Sequence, residues 1–138
     1  MDIVIRKYRD NDFERVNHIL NEAFSCEKSH NFVSDTYTEL VACIDEKVVG
    51  YLLLTKVLNP IKNFSYMLVD YVSVDSRFRG VGVGAKLMTF AYEIAKDLNC
   101  QYLQLTCSRF REDAHRLYKS QGYVMRDSDI FRKEIIWY

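Results

Sequence analysis

Three of the five glycines in this chain fall within five residues, Gly80-Val81-Gly82-Val83-Gly84, between an apolar run and a helical one. A strand that feeds a helix through such a turn leaves several backbone N–H groups uncommitted at the helix N-terminus. Glycine lets the backbone approach a ligand closely, and the free amides together with the helix dipole favour phosphate oxygens. A plain strand-to-helix turn would need only one glycine. The Walker pattern fails because the lysine stands in Ala85-Lys86-Leu87, not in a Gly-Lys-Ser/Thr ending. Gly80-x-Gly82-x-x-Ala85 matches the dinucleotide spacing, but it follows several predicted elements, and Cys100 to Thr106 holds no carboxylate for a ribose.

Asp70 is the second residue with chemical interest. It interrupts the apolar run Tyr66 to Val74, which otherwise contains one polar residue, Ser73. A carboxylate in such a strand is costly to bury without purpose, so it is either a base or the partner of an Arg or Lys. Glu39 is a second candidate base. Tyr118 shares a helix face with Ala114 and Leu117, and from spacing alone it reads as a packing residue.

These residues need elements to hold them. Ile3-Val4-Ile5-Arg6 reads as a strand, and Asn11 followed by Glu14 is a capping-box signature opening a helix from about Asp12 to about Phe24. Ser25 to Tyr37 lacks periodicity and reads as a loop with room for one short helix. Glu39–Ile44 and Val48–Leu54 make a hairpin, and Leu58–Asn63 around the single proline, Pro60, makes a turn. Tyr66–Val74 is a strand. Leu87, Met88, Ala91, Ala95 and Leu98 mark a helix ending near Asn99, Tyr102–Thr106 alternates as a strand, and a helix from about Asp113 stops at Gly122. Tyr123–Met125 and Ile130–Ile136 read as closing strands. The order β-α-β-β-β-α-β-α-β-β predicts one α+β domain over residues 1–138, a three-layer α/β/α arrangement with a mixed, mostly antiparallel sheet of about six to seven strands.

Composition excludes some classes. Nineteen basic residues balance nineteen acidic ones, so there is no basic excess to favour nucleic acid or an anionic membrane. No apolar run approaches the ~20 residues of a membrane span, and the N-terminus lacks a signal-peptide layout. Cys26, Cys43, Cys100 and Cys107 are scattered and do not cluster with His18, His30 or His115, which predicts free thiols, no metal and a cytoplasmic setting. Trp137 and Tyr138 read as a homodimer contact or an ordinary strand end.

Val74-Asp75-Ser76-Arg77-Phe78-Arg79-Gly80-Val81-Gly82-Val83-Gly84 resembles the coenzyme A signature of the GNAT superfamily of N-acetyltransferases, whose core Arg/Gln-x-x-Gly-x-Gly/Ala is met by Arg79, Gly82 and Gly84. Ala114-His115-Arg116-Leu117-Tyr118-Lys119-Ser120-Gln121-Gly122-Tyr123 resembles that family's Ala-x-x-Leu-Tyr-x-x-x-Gly-Phe segment, and the element order agrees over nearly the whole chain. The family often has proline where Ser76 stands and asparagine where Arg111 stands. The second departure bears on a side-chain contact to the pantetheine arm.

The resemblance implies acetyl-CoA as co-substrate and a coenzyme cradle built from Val72, Ser73, Val74, Arg79, Gly80, Val81, Gly82, Val83, Gly84 and Ala85. Val72 to Val74 would bind pantetheine through main-chain groups, and Tyr118 would donate a proton or hydrogen bond to the departing sulfur. Asp70 would act as base, directly or through water. Arg77, Arg109, Arg111 and Arg116 are candidates for the 3′-phosphate or plain surface charges. The acceptor, a small-molecule or protein amine, would meet the Phe24–Tyr37 loop, the central strands and the C-terminal hairpin, where Glu27, Asp35 and Glu39 hint at a cationic amine. A different class, a coenzyme-binding sensor that has lost catalysis, and a different acyl donor such as succinyl- or propionyl-CoA stand beside this reading.

Overall fold

The computed structural model describes residues 2–29 and 35–137. Its regular elements are β1 (Ile3–Lys7), α1 (Phe13–Phe24), β2 (Tyr37–Ile44), β3 (Lys47–Asn59), β4 (Phe64–Val74), α2 (Val83–Asp97), β5 (Leu103–Gln104) and α3 (Glu112–Ser120), with short 3-10 turns at Asp10–Asp12 and Ser76–Phe78. One sheet runs in the order β1-β2-β3-β4-β5, antiparallel except for the parallel pair β4 and β5.

The two helical stripes explain the layering. Val16, Ile19 and Leu20 of α1 pack with Val41, Cys43, Val48 and Tyr51 on one face of the sheet. Leu87, Met88, Ala91 and Ala95 of α2 pack with Leu40, Ala42, Ile44, Leu52, Leu54, Met67 and Val69 on the other. Neighbouring residues along β2 thus serve opposite faces, which is why this strand is continuously apolar from Leu40 to Ile44 rather than alternating. A Cβ on Gly50 would stand 2.8 Å from Val83 Cγ1, so only glycine lets the first turn of α2 press onto β3.

Two irregularities in β4 prepare the site. Leu53 pairs with Asp70 and Tyr51 with Ser73, so Leu52 faces an extra residue, and Tyr71 sits at φ 57°. A bulky residue in the left-handed region marks a bulge. It reverses which side chains face α2: Met67 and Val69 do so before it, Val72 and Val74 after it. On the other edge, β5 pairs only Met67 with Leu103 and Leu68 with Gln104. Beyond those two pairs the strands part, and among the described residues the main chain from Val69 to Val74 has no strand neighbour on that side.

The structure corrects two expectations and leaves a third partly outside the described residues. Among the described residues the sheet has five strands, because Tyr123–Met125 and Ile130–Ile136 form none; β5 itself pairs over only two residues, and a strand without a partner does not persist in water. Asn11 does not cap α1. Asp12 instead accepts from Arg9 N at 2.8 Å and holds Arg6 through a bidentate pair at 2.7 and 2.9 Å, tying the helix entry back to β1. The short helix allowed for between Ser25 and Tyr37 falls partly on residues 30–34, outside the described residues, and Cys26–Ser29 has no regular structure.

Candidate active site

The parting of β4 and β5 opens a groove of about 710 Å³. Val72, Ser73 and Val74 form one wall, Arg79, Gly80 and Gly82 through Ala85 the floor, and α3 the opposite wall through Leu117 and Tyr118. Nearly every residue expected to hold the coenzyme therefore meets in one place. Val81 is the exception: it lies outside the lining and is 46% exposed.

The floor suits an anion. Gly80 and Gly82 have φ of 79° and 96°, values that keep other residues out, and Gly82 is the N-cap of α2 with no side-chain cap. The amides of Val83, Gly84 and Ala85 are then orphan donors of the first turn. No acidic residue occupies that turn, whereas the first turn of α3 carries Glu112 and Asp113. The positive end of α2 is thus left for an external negative charge. A Cβ on Gly84 would stand 3.0 Å from Leu117 Cδ2, so glycine here also lets α3 approach α2.

The loop is held in place by a fully buried carboxylate. Asp75 accepts from Arg15 Nη2 at 2.6 Å, from Arg77 N at 3.0 Å and from Arg77 Nη2 at 3.2 Å, and its own N–H donates to Val49 O at 2.8 Å. The Arg77 side-chain bonds, followed by its backbone N–H and Arg15, hold the Asp75 carboxyl below the usual carboxylate range despite burial. Arg15 also donates to Val48 O, so α1, β3 and the loop meet at one charge. Next to it, Ser76 donates to Glu22 through N at 2.9 Å and Oγ at 3.0 Å, a backbone bond that proline could not make.

Asp70 and Glu39 share one row of the sheet, since Glu39 pairs with Leu53 and Leu53 with Asp70. Their surroundings differ. Glu39 accepts from Tyr51 Oη at 2.8 Å and lies 3.3 Å from Lys28 Nζ, which itself sits over the Tyr8 ring at 4.2 Å. Asp70 is partly buried and has no hydrogen bond or ion pair among the described residues, and burial pushes its carboxyl above the usual range. The pairing with an arginine or lysine that would have made Asp70 structural is absent there. It lies just outside the groove lining, two residues before Val72.

Tyr118 lines the groove, and no protein atom among the described residues bonds its hydroxyl. Burial raises its pKa, so it stays protonated and able to donate at neutral pH. Its ring neighbour Tyr123 has a buried hydroxyl without a partner among the described residues and a pKa pushed up to about 12 by burial.

The model of the acetyltransferase (GNAT) family matches residues 3–123. The chain belongs to that family. Among solved structures, a transcriptional regulator from Bacillus halodurans C-125 superposes with a TM-score of 0.84 at 24% identity, covering 97% of this chain and 100% of its own. A ribosomal-protein-alanine N-acetyltransferase from Brucella melitensis biovar Abortus 2308 gives 0.83 at 19%, covering 98% and 100%. An aminoglycoside acetyltransferase, meta-AAC0020, from an uncultured soil metagenomic sample gives 0.81 at 15%, covering 98% and 97%. At these identities the likeness is one of fold. No curated protein matches the sequence.

Within this GNAT acetyltransferase the departure at Arg111 has a structural counterpart. Arg111 lines the groove with its guanidinium 5.3 Å from the Phe24 ring centroid, and Phe24 meets Tyr71 edge-on at 5.4 Å. A cation–π stack therefore joins the start of α3, the end of α1 and the β4 bulge at the Asp70 end of the groove. Of the other arginines, Arg77 is bound to Asp75, Arg116 lines the groove and Arg109 is exposed outside it. Sequence reasoning assigned no role to Arg15, Glu22 or Tyr71. Asp75 stood inside the quoted motif, but its partner Arg15 is 60 positions away, and no local spacing reveals such a pair.

Proposed function

We propose that this chain is an N-acetyltransferase domain that moves an acetyl group from acetyl-CoA to a primary amine by direct attack in a ternary complex. The observation that carries the reading is the unpartnered Asp70 on β4, at the edge of a groove whose floor is an uncapped, acid-free helix N-terminus. Acetyl-CoA is the co-substrate, and its diphosphate lies on the amides of residues 82–85. The unpaired main chain of Val72–Val74 takes the place of a strand partner for the pantetheine amides, and Arg116 reaches for the 3′-phosphate.

Each residue then answers one requirement of acyl transfer. An alkylammonium of pKa about 10.4 must lose a proton before it attacks. Asp70, whose carboxylate is poorly solvated, accepts that proton directly or through water. Attack on the thioester carbon moves the C=O electron pair onto the oxygen, and this oxyanion needs a donor, which a main-chain N–H of the splayed strand supplies. Collapse expels the thiolate, to which the Tyr118 hydroxyl donates. Tyr118→Phe is expected to lower kcat by about tenfold or more while leaving coenzyme affinity unchanged. Comparing kcat with the dissociation constant separates the two, and unchanged kcat would remove Tyr118 from the chemistry.

Thermal unfolding with and without acetyl-CoA tests the cradle. At ~100 times its dissociation constant a ligand adds about 2.7 kcal/mol, a rise of about 5–10 °C for a domain of this size. Gly82→Trp should abolish the rise: the space around the missing Cβ is open, so an indole there enters the groove, and because φ 96° strains any side chain the rise is measured from the variant's own melting temperature without ligand. No rise in the wild type would sink the coenzyme reading. A rise with no acetylation across an amine panel would assign the chain to coenzyme sensing.

A further inference from the structure

The end of α3 brings two phenols together. The helix stops in a Schellman turn: Tyr123 N–H donates to Tyr118 O at 3.0 Å and Gly122 N–H to Lys119 O at 3.1 Å, with Gly122 at φ 87°. Such a turn seats the residue after the glycine against the last turn of the helix, and here the Tyr118 and Tyr123 rings lie 6.1 Å apart, tilted by 54°. That contact asks only for an apolar ring. Phenylalanine would supply it.

Tyr123 carries a hydroxyl as well, and the hydroxyl is out of place. Its ring packs against the core between α2 and the sheet, and its oxygen is buried with no partner among the described residues. A hydroxyl taken out of water unpaired costs stability that phenylalanine would keep, so an orphan of this kind calls for a use. The hydroxyl hydrogen turns about its C–O bond and is free to follow a charge that arises nearby. A charge on Tyr118 is felt at this oxygen: after burial, it is the second cause that pushes the Tyr123 pKa up to about 12.

Tyr118 has need of such a donor. Burial, ahead of its charged neighbours, holds its own pKa above the usual phenol value. Passing a proton from a phenol of pKa above about 10 to a thiolate whose acid has a pKa of about 8.5 is uphill by more than about 30-fold.

We propose that Tyr123 is a positioning residue for the leaving-group step: as Tyr118 gives up its proton, the Tyr123 hydroxyl turns to the Tyr118 oxygen and holds the charge left there. The Tyr118 O–H bond breaks, an S–H bond forms on the coenzyme, and the electron pair stays on the phenol oxygen until solvent returns a proton. Tyr123 itself transfers nothing. A hydrogen bond to a charged acceptor contributes about tenfold or more, which offsets much of the uphill step. The inference rests on the reading of Tyr118 as donor to the departing sulfur.

The test is Tyr123→Phe in the full chain, with the tyrosines replaced by a ring-fluorinated tyrosine. The fluorine lowers the phenol pKa into a range where the protein stays folded, and its resonance reports each ring; the Tyr118 signal is the one missing from Tyr118→Phe. Tyr123→Phe is expected to raise the Tyr118 pKa by about one, tenfold in its acid constant, while the melting temperature holds or rises. Cys107, Arg111 and Asp113 also face Tyr118 and are the same in both proteins, so the difference belongs to the hydroxyl. With acetyl-CoA and n-butylamine as the probe, kcat should fall about tenfold at an unchanged KM for acetyl-CoA, and its alkaline limb should move to higher pH. Adding Tyr123→Phe to Tyr118→Phe should cost nothing further. An unchanged Tyr118 pKa, a lower melting temperature or a loss that adds in the double variant overturns the inference. Full turnover in Tyr118→Phe would remove the reading beneath it, whereas a slow Tyr118→Phe beside a Tyr123→Phe at full rate would overturn this inference alone.

Discussion

Asp70→Asn is expected to lower turnover by about 10²–10³-fold near neutral pH, within the usual range for loss of a general base, while raising the melting temperature. Both effects have one cause. The Asp70 carboxylate is held partly out of water with no donor or cation beside it among the described residues, so its charged form is penalised and its pKa is raised. The sign follows from linkage. A carboxyl whose folded pKa exceeds its unfolded value binds its proton more tightly in the folded state, so stability falls as pH rises between the two values and the loss persists above them. Asparagine never ionises and escapes that loss. The variant should therefore melt higher than wild type at neutral pH and match it below the ordinary carboxylate pKa of about 3.9. The activity deficit should shrink as pH nears the amine's own pKa, because the free amine then needs no base. Full activity of the variant at both neutral and high pH would exclude the base role; an unchanged melting point would show that the carboxylate is better solvated than its setting implies.

Asp75→Ala should have the largest effect on stability, about 3 kcal/mol, near the low end for removing one partner of a buried pair. The low end applies because Arg15 and Arg77 keep 30% and 60% of their side-chain surface in water and are not stranded. The melting temperature would fall by about 10 °C. Here the linkage has the opposite sign: Asp75 is held below its unfolded pKa by Arg77 and Arg15, so its contribution is complete above pH ~4 and is lost as pH drops through the depressed value. The gap between wild type and variant should thus be constant from neutral pH down to the ordinary carboxylate range and close below it. Coenzyme affinity should weaken together with stability, since the same carboxylate pins the start of the glycine loop. A variant as stable as wild type would show that the loop is anchored by its neighbours instead.

The parts of this molecule legible in the chain were those with local causes. The apolar stripe from Leu87 to Ala95, the glycine cluster and the arrest of α3 at Gly122, which adopts φ 87°, each follow from residues within a turn or two. The bulge at Tyr71 does not. Nothing about a tyrosine announces a left-handed backbone, and the register on β3, not local preference, imposes it. The fate of Asp70 and Glu39 was equally hidden. Both are single carboxylates in apolar strands, and only the arrival of Lys28 and Tyr51 beside Glu39 separates a paired group from a bare one. The closing strands were misread for a related reason. Their pattern is right for a sheet, but a strand is completed by its neighbour, and among the described residues no neighbour takes them.

The attachment of β5 to the sheet has a dynamic consequence. Two residue pairs, Met67 with Leu103 and Leu68 with Gln104, carry the ladder contact between the first two-thirds of the chain and everything after α2. So short a seam opens locally at a small fraction of the cost of global unfolding, and a ligand laid along both lips of the groove would repay that cost. The empty protein should then breathe along this line and be nicked by proteases between β5 and α3, near the fully exposed Phe110. The loaded protein should resist. In this fold the coenzyme would do the work of a missing stretch of strand, and the C-terminal third, held otherwise by side chains such as Leu103 and Leu117, would gain its main-chain bond to the sheet only as the groove fills.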